Sequence, residues 1–322
     1  MSKATKIALV VGALLVLLGG AIFAAAMISF KWDFKKLSTT NYQTNEHQIT
    51  ESFSDVSILT DTADIKLLPS ENSQVKVVCR EEENAKHAVS VKDGALTVEV
   101  VNEKKWYQHI GINFESPKVT VYLPAGEYGA LSIKGNTGAT EIAEDFTFKS
   151  IDIEQDTGSV SSYADTLENI KIKTDTGAVR IQDVSAQAVD VSVSTGKVSL
   201  TNLNCEGTLK IGVSTGKTVI DWVKCKNLIS SGSTGSLTLK DAVATEKFFI
   251  ERSTGDIKFE NSDASEIFVK TDTGDVSGTL LTDKVFITET DTGKIKVPNS
   301  ISGGRCEITT DTGDIIISVA QG

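Results

Sequence analysis

From Ile151 onward, apolar residues recur at every second position in short runs: Ile151 and Ile153, Ile170 and Ile172, Val189 and Val191, Ile267 and Val269. Each run leads into a three-residue phrase, Thr-Gly preceded by Asp, Ser or Asn. Two more apolar residues follow at the same spacing, as in Val179 and Ile181, Val198 and Leu200, Leu237 and Leu239, Ile257 and Phe259, Ile315 and Ile317. A period of two turns one face of a segment inward and the other outward, which is the signature of a strand. The phrase occurs ten times, with glycines Gly138, Gly158, Gly177, Gly196, Gly216, Gly235, Gly255, Gly274, Gly293 and Gly313 separated by 19 or 20 residues. The repeated unit is therefore two short strands, a tight turn at the phrase and a looser second turn.

One such unit cannot bury its own apolar face. Stacked units make the inward residues continuous and pair the backbone with the rungs above and below. The pattern predicts an all-β fold, a single-stranded β-solenoid or β-helix of about ten rungs of 19–20 residues each. At a spacing of ~4.8 Å per rung this stack is roughly 45–50 Å long. In the phrase, Gly supplies a positive φ, and the Asp, Ser or Asn side chain is expected to accept the N–H two residues on. Asp stands there five times and Ser four times, which suits a turn device better than a chemical one. Cys205 lies nine residues after Gly196, and Cys225 nine after Gly216. They should fall opposite each other on adjacent rungs, about 5 Å apart and within disulfide reach. Their redox state is left open by the sequence. Cys306 matches the inward positions of Ile151 and Val189 and reads as core.

Residues 51–134 carry strand signals with an imperfect repeat. Thr60-Asp61-Thr62-Ala63-Asp64 looks like a decayed phrase with Ala63 in the glycine place. Val75 and Val77, Val89 and Val91, and Leu96, Val98 and Val100 alternate with polar residues. Asp93-Gly94 between two such runs signals a hairpin. Val119, Val121 and Leu123 form a further strand, stopped by Pro124. Trp106 to Phe114 breaks the alternation and reads as a loop with aromatics. The regular repeats occupy residues 135–322.

The other departure from the pattern is at the start. Ile7 to Phe30 is a run of 24 residues without a charge, preceded by Lys3 and Lys6 and followed by Lys31, Lys35 and Lys36. About 20 apolar residues suffice to span a bilayer as a helix. The expected layout is a cytoplasmic tail at 1–6, a transmembrane anchor at 7–30 and a juxtamembrane linker at 31–50. Trp32 and Phe34 would lie at the headgroups. The competing reading is a cleaved leader, with Ala24, Ala25 and Ala26 at the cleavage region. The polar repeat domain is expected outside the membrane, as the C-terminal part of a single-pass protein.

Charge and composition then narrow the function. A net charge of −11 disfavours nucleic acid, which needs a basic face. None of the four cysteines forms a CxxC pair, and no two of the three histidines have ligand spacing, so no zinc or cofactor site is expected. Asp-Thr-Gly is also the phrase of aspartic proteases, but those need two loops facing across a cleft. Stacked rungs place the aspartates in a column instead, and no catalytic residue is assigned. Asp272, Asp291 and Asp311, on consecutive repeats, with Asp256, Asp275 and Asp314 just after the glycines, are candidates for Ca²⁺, against turn capping as the plainer role. A glycan-active enzyme would need carboxylate pairs or basic residues gathered on one face. Arg80, Arg180, Arg252 and Arg305 show no such gathering along the chain. Trp222 is a possible outward contact for a sugar or a partner.

The WDFKKLST segment, TADIKLLPS, VTVYLPAGEY and the serial [DS]TG rungs resemble the bacterial putative-adhesin family, which includes the LiaG-like membrane proteins of Gram-positive bacteria. The resemblance covers residues 31 to the end. It implies an envelope protein with a β-solenoid, some members being encoded near envelope-stress systems, and it brings no catalytic residues with it. The expected function is a non-enzymatic surface interaction protein or scaffold. Its partners would be the membrane, through the helix, and a protein or cell-wall glycan. The alternatives are an accessory regulator of envelope-stress signalling and a glycan-active β-helix enzyme.

Overall fold

The structure, a computed structural model, describes residues 2–34, 40–102 and 115–320. Lys3–Ser29 is one helix, begun by Ser2, whose side chain accepts the Thr5 N–H. At ~1.5 Å per residue its 27 residues reach about 40 Å, more than a bilayer's hydrocarbon core. Its apolar side chains are exposed along its length, among them Leu9, Val16, Leu17 and Phe23. The helix stops where Lys31 and Trp32 take positive φ and the Trp32 N–H bonds the Met27 carbonyl.

The rest is a β-solenoid of parallel rungs. Inward residues form one continuous core from Val56 and Ile58 to Ile315 and Ile317. The stack is knit at the phrase, where each glycine N–H donates to the Thr carbonyl of the next rung: Gly138 to Thr157, Gly158 to Thr176, Gly177 to Thr195, and so on to Gly255 and Thr273. The N–H expected to be capped inside its own turn is therefore used between rungs. The carboxylate after the glycine bridges rungs too: Asp64 Oδ1 accepts the Ala139 N–H, and Asp256 Oδ1 the Asp275 N–H. Stacking also explains the glycine more fully than φ alone. A Cβ on Gly196 would lie 1.7 Å from the carbonyl oxygen of Gly177.

The rungs do not stack in sequence order at either end. Ile257–Thr273 pairs with Gly304–Thr312, which pairs in turn with Lys284–Thr292. Val276–Leu280 and Ile295–Lys296 likewise flank Ile315–Val319. The last rung in sequence is thus slotted beneath the one before it. The Gly274 N–H bonds Thr312, and the Gly313 N–H bonds Thr292. A buried clamp spans the slotted rung. Lys284 lies in register with Gly304, which has no side chain to block it. Its Nζ reaches Asp263 Oδ1 at 2.6 Å, and the Thr282 hydroxyl donates to Asp263 Oδ2 at 2.6 Å.

The N-terminal end repeats the device. Asp55–Leu59 lies between Gly126–Thr137 and Ala95–Asn102, and Asp64–Pro69 between Thr140–Ile142 and Lys118–Leu123. Ala63 occupies the glycine place under Gly138, whose Cβ would meet the Ala63 carbonyl oxygen at 2.2 Å. The hairpin at Asp93-Gly94 joins Ala85–Lys92 to Ala95–Asn102, both turn residues having positive φ. Val75–Glu82 runs antiparallel to Lys118–Leu123 and closes that end. Tyr42–Ile49, within the stretch expected to be a tether, is a strand antiparallel to Val75–Glu82. Most of its inner positions, Gln43, Asn45 and His47, are polar, so hydrophobic alternation does not reveal it.

Candidate functional site

The outer face carries a groove of about 470 Å³ beside the phrase turns of the middle rungs. Its origin is a break in one outward column. Register places Glu154, Lys173, Ser192, Gly212, Ser231, Glu251 and Lys270 in line up the stack. Three small residues therefore sit between pairs of long charged ones. Beside them lie Ser194, Ser214, Ser233 and Ser253, the four Ser-Thr-Gly phrases, which fall on successive rungs. What looked in sequence like free exchange of Ser for Asp is a contiguous serine block in space.

Arg252 lies under this floor. It is 5% exposed, on the inward face of its rung, where its column otherwise holds residues such as Val193, Val213 and Thr271. It fits because Gly232 is its register partner: a Cβ there would lie 2.6 Å from Arg252 Nη1. Nη2 donates to the Ser230 hydroxyl at 2.9 Å and Nη1 to the Glu251 carbonyl at 3.2 Å. These bonds use two of the five N–H donors of a guanidinium. No acidic side chain pairs with it among the described residues. Burial draws its pKa down to about 10, so it remains a cation at neutral pH. The rim adds Lys270 against Glu251 and Asp272, which makes the site close to neutral overall. Sequence reading set Arg252 among scattered arginines. The signal it carried was its inward parity and the glycine one rung before it.

The phrase glycines line up in one column, and nine of the ten have φ between +131° and +158°, Gly293 being the exception. Cys205 stands in register with Cys225, both as free buried thiols. Burial raises the Cys205 thiol and pushes Cys225 and Cys306 up to about 12. The aspartates Asp272, Asp291 and Asp311 are not stacked in that order. The slotted rung places Asp311 between the other two. Of the residues after the glycines, Asp275 Oδ1 accepts the Asp314 N–H and Asp314 Oδ1 the Lys294 N–H. These carboxylates serve the stack, and among the described residues the acidic edge holds no convergent set of metal donors. Trp222 is 62% exposed with φ +54° at the second corner, where Asp183, Asn202, Asp241 and Asn261 take the same left-handed conformation. The aromatic loop from Trp106 to Phe114, including His109, lies outside the described residues.

These features define a parallel β-solenoid preceded by one apolar helix. The family model described as Toastrack DUF4097 matches residues 53–217 and again 207–322, and the chain belongs to that family. Among solved structures, the chain is similar to a putative lipid binding protein from Parabacteroides distasonis, at 13% identity over 88% of this chain and 98% of that one, with a TM-score of 0.47. It is also similar to a putative adhesin from Bacteroides fragilis, at 18% identity over 86% and 97%, with a TM-score of 0.40. A putative adhesin from Parabacteroides distasonis is 12% identical over 88% and 98%, with a TM-score of 0.39. No curated protein matches the chain.

Proposed function

We infer that this protein is a non-enzymatic interaction protein of the bacterial envelope, of the LiaG-like kind. Its N-terminal helix holds it in the membrane, and its solenoid binds a hydroxyl-rich, glycan-like partner outside. The observation that carries the reading is the serine-lined groove over Arg252. Serine hydroxyls both donate and accept, as sugar hydroxyls do, and a guanidinium with unspent donors favours an oxygen-rich ligand. The near balance of charge around the groove favours a neutral partner over a polyanion. A concave site with a few fixed polar groups is the usual form of a small-ligand or chain-binding site. The helix is long enough to cross a bilayer, which supports anchoring.

Calorimetric titration of soluble cell-wall glycan fragments into the purified full chain tests this. Saturable binding is expected. Ser214→Trp, which fills the groove from an exposed position, should weaken it at least about tenfold, or about 1.4 kcal/mol. Equal affinity in that variant would place the ligand elsewhere. Cleavage of the fragments during the titration would make the protein an enzyme.

A further inference from the structure

We propose that Cys79, Glu81 and His87 form a binding site for one zinc-type divalent cation, buried at the N-terminal end of the solenoid. Their ligand atoms, one sulfur, one carboxylate oxygen and one imidazole nitrogen, all lie within 4.8 Å of one another. The three residues are 0%, 1% and 4% exposed, so no bulk water competes for the donors. This donor set suits Zn²⁺, which takes thiolate, imidazole and carboxylate and holds three protein ligands where a fourth position stays open.

The groups around the donors are those a metal site needs. Ligands are held by partners on their far atoms, which fix ring orientation and carboxylate geometry. His87 presents Nδ1 to Glu81 Oε2 at 2.8 Å, while its Nε2 lies 3.2 Å from the Thr60 hydroxyl. The other oxygen of Glu81 accepts from Asn45 Nδ2 at 2.6 Å. The His87 backbone N–H fixes Glu81 Oε2 at 2.5 Å. Both outer partners therefore leave His87 Nδ1 and Glu81 Oε2 facing each other.

Charge points the same way. Among the described residues, no lysine or arginine pairs with Glu81, and the Arg80 guanidinium is turned to Glu115. A divalent cation with one thiolate and one carboxylate is neutral, which offsets the buried charge of Glu81. On binding, the sulfur–hydrogen bond of Cys79 is replaced by a sulfur–metal bond and the proton leaves to solvent. The bound ion would join the strands Val75–Glu82 and Ala85–Lys92. Through Thr60 it would also tie that cap to the slotted rung beneath. Linear spacing hides the site, because two donors alternate on one strand and the third comes from the next.

The test uses the full chain in detergent, stripped with chelator and titrated with Co²⁺. The expected result is one equivalent bound, with a near-ultraviolet sulfur-to-cobalt charge-transfer band that Zn²⁺ abolishes. Cys79→Ser should lose the band, Cys205→Ser should keep it, and Thr60→Val should bind about 10–100-fold more weakly. Absence of the band in the wild-type chain overturns the proposal without reference to any variant. So does an unchanged band in Cys79→Ser whose circular dichroism matches that of the stripped wild type.

Discussion

Two kinds of residue hold a left-handed backbone in this chain, and they do so for different reasons. At the phrase, glycine is required by contact as much as by φ, since a Cβ on Gly177 or Gly216 would lie within 1.8 Å of the carbonyl below. The sequence showed the first reason through the phrase itself; the second exists only once rungs stack. At the opposite corner, Asp183, Asn202, Trp222, Asp241 and Asn261 have φ between +47° and +57°. Asp and Asn tolerate this conformation better than other non-glycine residues, and Asn202 Nδ2 also donates across rungs to Asp183 Oδ1 at 2.7 Å. Trp222 has no such compensation and is strained. Trp222→Asn should therefore stabilise the fold by about 1 kcal/mol, read as a rise in unfolding midpoint. A fall in stability would show that the exposed ring is held by contacts that outweigh its backbone strain.

The rungs were legible as elements, but their order was not. Every rung shares one period and one parity, so hydrophobic pattern fits any two of them together equally well. The order is decided by particular residues: Gly303, with φ +113°, Gly304, and the Lys284–Asp263 pair that reaches across the slotted rung. Interleaving has a consequence for fraying. In a simple solenoid the terminal rung peels first, since stability is a sum of neighbour terms. Here the outermost rung contains Ile295 at 46% exposure, and it rests wholly on the chain's last rung. Deleting residues 304–322 should accordingly remove two rungs from the folded stack. Hydrogen exchange would then show residues 284–297 unprotected while 257–280 keep their protection. Retained protection at 284–292 would mean that this strand can pair directly with the rung of Gly274. Tyr42–Ile49 escaped the sequence reading for the opposite reason, because its inner positions Gln43, Asn45 and His47 are themselves polar, with Asn45 donating to Glu81 at 2.6 Å.

Across the whole molecule, the repeat supplies a rigid frame, and function is carried by local departures from it. Salt links between rungs, such as Lys173–Glu154 and Lys210–Asp190, are exposed and individually worth little. They do cover the outer columns with long side chains, and the groove is where that cover stops. Ser192, Gly212 and Ser231 open it, the four phrase serines line it, and Arg252 sits below in the slot left by Gly232. The apolar helix and the solenoid were visible in the chain, whereas the serine block read there as free exchange of Ser for Asp. The union of that block with Arg252 was not visible, because it depends on which face each residue takes. Hydrogen–deuterium exchange on the full chain, with and without a bound wall-glycan fragment, measures this union most directly. Protection is predicted to rise at residues 192–194, 212–214, 231–233 and 251–253 and nowhere on the opposite face. Binding that protects other segments, or no protection at saturating glycan, would contradict the assignment of the groove.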